Sequence, residues 1–225
     1  MTQTFVLSLG GSLIVPDEID VEYLKKFKAL IERYVSLNFR FVIVTGGGKV
    51  CRKYQQALTE LIGDNQEGSD WMGISLTHVN AQLVKGMFSD VHPEVIMNPT
   101  NNIDFKENIL VAGGWKPGFS SDMDAVLLAK KFGASTVINL SNIDYVYDKD
   151  PKYHDNAQKI ENISWHDFRK IVGDKWVPGS HLPFDPVASK EAAKAGLKVV
   201  IMNGSDLESL ENIFKGQTFK GTRVS

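Results

Sequence analysis

Cysteine, long apolar runs and surplus charge of either sign are scarce in this sequence of 225 residues. Cys51 is the only cysteine, so a disulfide within the chain is excluded and a reducing, cytoplasmic location is expected. No apolar run reaches the length of a membrane-spanning helix, so we expect no membrane anchor. The 25 Lys and Arg are dispersed and are balanced by 27 Asp and Glu, which predicts no nucleic-acid partner.

A triple glycine at residues 46–48 is the most informative stretch of the sequence. It follows Phe41–Val44, a predicted buried strand, and precedes the basic, helix-compatible residues Lys49, Arg52 and Lys53. Glycines between a strand and a helix start leave bare N–H groups at the positive end of the helix dipole, which suits a phosphate group. An ordinary flexible turn is the alternative, because glycine clusters commonly mark loops. The triple glycine alone leaves both readings open.

Apolar segments at intervals along the chain predict further strands, with helical patterns between them. With Phe41–Val44, the predicted strands are Phe5–Leu9, Ile109–Ala112, Thr136–Leu140 and Lys198–Met202, and Val95–Met97 is a short additional candidate. This alternation is typical of an α/β fold with a mostly parallel sheet that is covered by helices on both faces.

Polar residues indicate where the helices begin. The predicted starts are Asp20, Asp185 before Pro186, and the pairs Ser121 with Asp124, Ser164 with Asp167 and Ser205 with Glu208. Residues 64–70 are predicted to form a polar turn, after which a helix runs from Trp71 to about Ser89.

Small polar residues follow each of the five main predicted strands. The segments are GGS, TGGGK, GGWKPG, SNID and NGSD. In open α/β sheets, ligands bind outside the carboxyl ends of the strands, where these segments are expected to meet. Tight turns explain one or two such segments, but they explain three separate double or triple glycines poorly. The sequence therefore predicts a ligand site along this edge.

The segments GGS, TGGGK, GGWKPGFSSD and SNIDYVYDKDP together resemble the amino acid kinase family over nearly the whole chain. LGGSLIVP, SDWMGI, the PGS…DP…K stretch and the final GT are similar to the short archaeal-type uridylate kinases within it. The resemblance implies a three-layer αβα sandwich and one domain over residues 1–225. Its N-terminal half would be the phosphate-acceptor side and its C-terminal half the ATP side.

The implied reaction converts ATP and UMP to ADP and UDP, a step of pyrimidine nucleotide biosynthesis. The resemblance implies that Mg²⁺ is held mainly by the nucleotide phosphates rather than by protein ligands. It also implies a homo-oligomer, a hexamer.

The resemblance assigns residues to the two substrates. Those matched to ATP are Gly10, Gly11, Ser12, Gly48, Arg52, Ser141, Tyr147 and Asp150. Those matched to UMP are Gly47, Asp70, Trp115, Lys116, Pro117, Gly118, Phe119, Ser120 and Ser121. Asp70 would hold the ribose hydroxyls, since a carboxylate can accept two hydrogen bonds. Taken alone, Asp70 is also explained as a helix N-cap and Tyr147 as a core residue.

Two residues depart from the family pattern. Ser8 stands where many members have a lysine that reaches the transferring phosphoryl group, so the catalytic cation is unassigned. The candidates are Lys49, Arg52, Lys116 and Lys175, and we prefer Arg52, which lies one helical turn after Gly48. Arg52, Lys49 and Asp144 form the predicted catalytic set, although Asp144 alone also reads as a turn residue. Tyr145 replaces a small glycine and is expected to narrow the ATP side.

Two alternatives stay open at this point. The first is a kinase of another small phosphate or carboxylate, such as isopentenyl phosphate or an amino acid. The second is a nucleotide-binding or storage protein on the same fold without turnover, which the loss of the lysine at Ser8 keeps in view.

Overall fold

The computed structural model describes residues 3–175 and 182–225. In this part of the chain the strands are β1 (Gln3–Leu9), β2 (Phe39–Thr45), β3 (Ile109–Ala112), β4 (Thr136–Ser141), β5 (Val146–Tyr147), β6 (Lys159–Ile160), β7 (Asn162–Ile163), β8 (Lys198–Asn203) and β9 (Thr222–Val224). Seven of them form one sheet in the order β3-β2-β1-β4-β8-β9-β7, while β5 and β6 form a separate antiparallel hairpin.

The helices lie on both faces of this sheet. They are α1 (Gly11–Ile14), α2 (Val21–Val35), α3 (Gly48–Ile62), α4 (Gln66–Gly86), α5 (Ser121–Phe132), α6 (Trp165–Val172), α7 (Pro186–Lys194) and α8 (Leu207–Phe214). Within the two described ranges, no helix combines the length and the apolar character needed to cross a membrane.

The five main predicted strands are confirmed, and all five run parallel to one another. β1 pairs with β2 and β4, β2 pairs with β3, and β4 pairs with β8. Because side chains alternate along a strand, Leu7 and Leu9 join one buried cluster with α2 and α8, whereas Val6 joins the opposite cluster with α5 and α7. The predicted three-layer αβα class is therefore confirmed.

The direction of the chain across the sheet reverses at β1. From β1 the chain continues outward through β2 to β3, and it then returns to place β4 on the other side of β1. Such a reversal opens a crevice at the carboxyl ends of the strands, where ligands of doubly wound folds bind. All five of the small polar segments lie along this edge.

β9 extends the sheet beyond β8 by pairing antiparallel to it, and β7 pairs with β9 at the edge. The first residue of β9, Thr222, is fully buried and accepts a hydrogen bond from the Val146 N–H at 2.8 Å. The Thr222 hydroxyl in turn donates to the Ile160 carbonyl. One residue near the end of the chain therefore ties both strands of the β5–β6 hairpin to the main sheet.

The prediction of a turn over residues 64–70 is wrong, because α4 already begins at Gln66. The Asn65 side chain caps this helix by accepting a hydrogen bond from the Gly68 N–H at 2.9 Å. Asp70 therefore lies inside the helix, which excludes its reading as an N-cap. The same helix ends at Gly86, before the predicted end at Ser89.

Two predicted capping boxes are also wrong, each by one residue. The N-cap of α5 is Ser120 rather than Ser121, and its hydroxyl accepts from the Met123 N–H. The N-cap of α8 is Asp206 rather than Ser205. In both cases the neighbouring residue has the geometry to reach an N–H three positions on. The predicted caps Asp20, Ser164 and Asp185 are confirmed.

The short candidate Val95–Met97 is not a strand. Ile96 alone forms a bridge, to Ala112 of β3. Pro93 and Pro99 lie on either side of it, and proline lacks the N–H that a longer ladder needs. The structure leaves the polar residues 98–107 without helix or strand, as predicted.

The first two glycine loops, residues 10–12 and 46–48, touch each other through their backbones. A Cβ added to Gly11 would lie 2.2 Å from the Gly48 nitrogen and 2.5 Å from the Gly46 oxygen. Gly48 has a φ of +75°, a conformation that other residues rarely adopt. Since β1 and β2 are parallel neighbours, the two loops emerge side by side, and only glycine permits this contact.

Gly11→Ala is expected to lower the free energy of unfolding by about 1–3 kcal/mol, because the added methyl group meets rigid backbone. Urea unfolding monitored by circular dichroism would measure this change. Gly86→Ala is the matched control, since a Cβ at Gly86 has nothing within 4 Å. An unfolding midpoint for Gly11→Ala equal to that of the wild type would contradict the backbone contact.

Candidate active site

An open pocket lies beyond the carboxyl ends of β2 and β3, between α3, α4 and the loop of residues 115–121. Most of the residues that the resemblance matched to UMP line it: Gly47, Asp70, Lys116, Pro117, Gly118, Phe119, Ser120 and Ser121. Other lining residues were not matched to either substrate from the sequence: Cys51, Gln55, Gly73, Ile74, Thr77, Gly114 and Asp185. Stretches far apart in the sequence therefore converge on one pocket.

Asp70 links the two walls of this pocket. Its Oδ1 accepts a hydrogen bond from Gln66 Nε2 at 2.7 Å, one turn earlier in α4. Its Oδ2 accepts from the Gly118 N–H across the pocket at 3.3 Å. The carboxylate is half-buried, so it faces both the loop and the pocket.

Trp115, Lys116 and Phe119 form a compact cluster on the 115–121 loop. The two aromatic rings meet edge to face with their centroids 4.7 Å apart. The Lys116 ammonium lies 4.0 Å from the centroid of Trp115 and 4.8 Å from that of Phe119, so both rings attract it. Trp115 supports the loop without lining the pocket itself.

Arg52 and Lys49, two of the predicted catalytic residues, have different partners. Arg52 Nη2 donates to Ser12 Oγ at 3.4 Å, so its guanidinium lies beside the first glycine loop. Lys49 Nζ instead donates to Asp17 Oδ1 at 2.9 Å, and this contact lowers the pKa of the exposed Asp17 carboxyl. Of the two cations, Arg52 is the one that contacts a predicted ATP-binding residue.

Ser8 contacts Asp122, a residue that sequence reasoning missed. The register of β1 with β4 places Ser8 opposite Asn139, and both side chains donate to Asp122 Oδ1, at 3.1 and 2.8 Å. The Asp185 N–H donates to Asp122 Oδ2 at 3.1 Å. Burial raises the pKa of Asp122 to about 6, and the nearby Asp185 charge adds to this effect.

The segment that the resemblance matches to UMP ends at Ser121, one residue before Asp122. The predicted capping box pairs Ser121 with Asp124 and likewise leaves Asp122 without a role. The available signal was an acid directly after the SS pair of GGWKPGFSSD.

Six of the residues matched to ATP lie near the carboxyl ends of β1, β2 and β4. Gly10, Gly11, Ser12, Gly48 and Arg52 lie in or beside the two glycine loops, and Ser141 is the last residue of β4. Asp144, a predicted catalytic residue, follows three residues later. Asn203 at the end of β8 donates to Asp144 Oδ1 at 2.9 Å, which joins two strand ends.

Tyr147 and Asp150 lie in and just after β5 instead. Asp150 caps the turn by accepting from the Lys152 N–H at 2.8 Å. The Tyr145 ring is packed under the Lys159 ammonium, 4.8 Å from its centroid. Lys175 is exposed, and the PGS segment at residues 178–180 lies outside the described residues.

Comparison with known proteins decides the family. The model of the amino acid kinase family matches residues 3–203. The chain belongs to the amino acid kinase family. The uridylate kinase of Pyrococcus abyssi is 32% identical over 224 residues, which cover 97% of this chain and 98% of that protein. The uridylate kinase of Methanospirillum hungatei is 34% identical over 226 residues, covering 99% and 94%.

Solved structures of uridylate kinases have the same fold as this chain. The crystal structure of uridylate kinase from Archaeoglobus fulgidus has a TM-score of 0.82 and 30% identity, and the match covers 98% of this chain and 99% of that one. UMP kinase from Bacillus anthracis has a TM-score of 0.79 at 18% identity, with coverage of 99% and 96%, and supports the fold alone.

Asp122→Asn tests the unusual environment of this acid without any substrate. An unfolded Asp has a pKa of about 3.9, whereas folding raises that of Asp122 to about 6. Between these values the folded state binds a proton that the unfolded state lacks, so the group's contribution to stability grows as the pH falls through 6. The free energy of unfolding of the variant minus that of the wild type should therefore be most positive above about pH 7 and decline towards about pH 4.

Asp17→Asn is the control of opposite sign. Because Lys49 lowers the pKa of Asp17, its stabilising contribution is present above the unfolded pKa and is lost as the pH falls. Urea unfolding across the pH range measures both variants. If the stability difference between Asp122→Asn and wild type did not change with pH, folding would not raise the pKa of Asp122.

Proposed function

We propose that this chain transfers the γ-phosphoryl group of Mg-ATP to UMP, giving ADP and UDP. The observation that carries the proposal is the pocket with Asp70 in its wall and the touching glycine loops beside it. Likeness over almost the whole chain to the uridylate kinases of Pyrococcus abyssi and Methanospirillum hungatei supports UMP over other acceptors.

On the acceptor side, each part of UMP has a fitting group. Gly47 precedes the N-terminus of α3, where free N–H groups and the helix dipole favour a phosphate. Asp70 can accept hydrogen bonds from the two ribose hydroxyls. The 115–121 loop offers the Phe119 ring and the hydroxyl groups of Ser120 and Ser121 to the base.

On the donor side, positioning and charge are what the reaction needs. Phosphoryl transfer demands in-line alignment and stabilisation of the charged phosphoryl oxygens, with little covalent chemistry from the protein. Gly10 to Ser12 and Gly48 supply backbone N–H groups at adjacent strand ends, and we assign the terminal phosphates of ATP to them. The adenosine moiety would then lie towards Ser141, Tyr147 and Asp150.

Magnesium fits this arrangement as a companion of ATP. Gly11 and Gly46–Gly48 approach each other so closely that no side chain lies between the two loops, which leaves their backbone N–H groups to face phosphate groups. Within residues 3–175 and 182–225, no three or more His, Cys, Asp or Glu side chains are grouped to hold a metal. We therefore assign the ion mainly to the nucleotide phosphates, whose negative charge it neutralises when bound.

Arg52 is our choice for the catalytic cation in place of the family lysine. Ser8 is uncharged, buried and bound to Asp122, so it cannot perform this role. Lys49 is paired with Asp17, and Lys116 is held between two rings. The guanidinium of Arg52 lies beside Ser12 and can grip phosphate oxygens in a bidentate manner.

The function is tested by ADP release with UMP, CMP, isopentenyl phosphate and acetylglutamate as acceptors. We expect turnover with UMP to exceed that with each other acceptor. If only isopentenyl phosphate or only acetylglutamate were phosphorylated, that compound and not UMP would be the substrate. Calorimetric binding of nucleotide without ADP release would favour a non-catalytic binding protein.

Two variants in the same assay separate the substrate sites. Asp70→Asn is expected to raise KM for UMP by about tenfold or more and to leave KM for ATP unchanged, because a charge-assisted hydrogen bond is lost. Arg52→Ala should show the converse, a large loss of kcat/KM for ATP. Lys53→Ala, an exposed neighbour of Arg52, is the control. If Asp70→Asn changed the kinetic constants for UMP and ATP equally, Asp70 would not be assigned to UMP. If Arg52→Ala did so, Arg52 would not be assigned to ATP.

We further propose that the chain assembles with itself through α3 and α4. Tyr54, Leu61 and Ile62 of α3 are between 54% and 80% exposed, although they recur at helical spacing. Trp71, Val79 and Leu83 form a second exposed apolar stripe along α4. Apolar stripes of this kind on adjacent helices suit a contact between copies, and the resemblance suggests a hexamer.

Light scattering on the intact protein tests this assembly. Leu61→Glu is expected to lower the measured mass, since a charge would be buried in the contact. Leu37→Glu is the control, because Leu37 is similarly exposed at 59% but lies between α2 and β2. A monomeric wild type, or equal masses for Leu61→Glu and wild type, would rule out this face.

A further inference from the structure

Asp124 is a buried acid that the proposed mechanism does not use. It lies in the first turns of α5 and is fully inaccessible to solvent. Its Oδ2 accepts a hydrogen bond from the Trp115 N–H at 3.1 Å. Its Oδ1 is the one buried side-chain oxygen or nitrogen among the described residues that has no hydrogen-bond partner.

Stability alone does not account for an acid at this position. Its chain neighbours Ala125 and Val126 are completely buried in the cluster between the sheet and α5. A buried carboxyl with one unpaired oxygen is less favourable there than an apolar side chain of similar size. The single contact that only a hydrogen-bond acceptor can provide is the one to Trp115.

Trp115 is where the 115–121 loop begins, and the preceding residues are already fixed from α4. Thr77 Oγ1 accepts from the Gly114 N–H at 2.7 Å, and His78 Nε2 lies 2.7 Å from the Gly114 oxygen. Asp124 therefore holds the next amide from the opposite side, through α5. The cluster of Trp115, Lys116 and Phe119 starts directly at this fixed point.

We propose that Asp124 is a positioning residue for the phosphate acceptor: by holding the Trp115 N–H, it sets the 115–121 loop in the orientation that receives UMP. The inference rests on the proposed function for the identity of the ligand. The hydrogen bond itself does not depend on that function. Asp124 acts through the loop and does not touch the reacting atoms.

Two substitutions separate positioning from a merely structural role. Asp124→Asn keeps an oxygen that can accept from Trp115, and it has almost the same shape. Asp124→Val removes the acceptor but fills the apolar site, and it also removes the unpaired Oδ1. The Val variant is therefore expected to keep a wild-type melting temperature although it loses the contact.

The first measurement is hydrogen exchange at the Trp115 amide in the protein without nucleotide. We expect this amide to exchange about tenfold or more faster in Asp124→Val than in wild type, because its acceptor is gone. In Asp124→Asn it should remain protected. Equal protection in Asp124→Val and wild type would overturn the proposal, whatever the protein phosphorylates.

The second measurement is steady-state kinetics with ATP and UMP. We expect Asp124→Val to raise KM for UMP by about tenfold, the effect of one lost hydrogen bond, with KM for ATP and kcat unchanged. Asp124→Asn should restore the wild-type value. Equal losses for both substrates with a lowered melting temperature, unrescued by Asn, would make Asp124 structural and overturn the proposal.

The two measurements keep the failure of this inference apart from failure of the proposed function. A wild-type protein that does not turn over UMP refutes the function and, with it, the assignment of UMP to the positioned loop. Exchange at the Trp115 amide then still decides whether Asp124 holds the loop.

Discussion

The contact between the backbones of Gly11 and Gly46–Gly48 is the constraint on which the rest of the site depends. It exists because β1 and β2 are parallel neighbours in a register that puts Leu9 opposite Thr45, so that both strands end at the same level. α3 starts from the second loop at Gly48, and its direction brings Arg52 to Ser12 of the first loop. A side chain at the contact would separate the loops and move the helix with them. The pocket, the glycine loops and the candidate cation are therefore one geometric unit.

Strand register also explains the environment of Ser8. Residues paired across parallel strands point to the same face, so Ser8 and Asn139 both reach towards α5. Asp122 lies there and receives both donors. Ser8 and Asn139 thus form an uncharged hydrogen-bond network around an acid whose pKa is raised by burial. A long cation at this position would meet the same carboxylate, which links the identity of residue 8 to the charge of Asp122.

The sequence was sufficient for the features that depend on local pattern. Continuous apolar runs such as Phe41–Val44 located the five parallel strands, and the polar segments after them located the edge of the sheet at which the pocket lies. It was insufficient where two local signals competed, as at Asn65, whose side chain caps α4 and turns a polar stretch into a helix. The contacts of Asp122 and Asp124 could not be predicted from the sequence for another reason. Their partners Ser8 and Trp115 belong to other parts of the chain. Only the tertiary fold brings the Ser8 hydroxyl to Asp122 and the Trp115 N–H to Asp124.

The hydrogen bond between Val146 and Thr222 spans 76 residues of sequence and has a consequence for how the chain matures on the ribosome. Every residue that lines the pocket except Asp185 precedes residue 122, so most of the pocket lining is synthesised before the β5–β6 hairpin. The β5–β6 hairpin must wait for Thr222, which at about 5–20 residues per second emerges roughly 4–15 s after Val146. During that interval the hairpin lacks its tether to the main sheet, and Asp185, the last residue that lines the pocket, is also synthesised. Almost all of the pocket lining is therefore synthesised before the hairpin can be tied to the sheet.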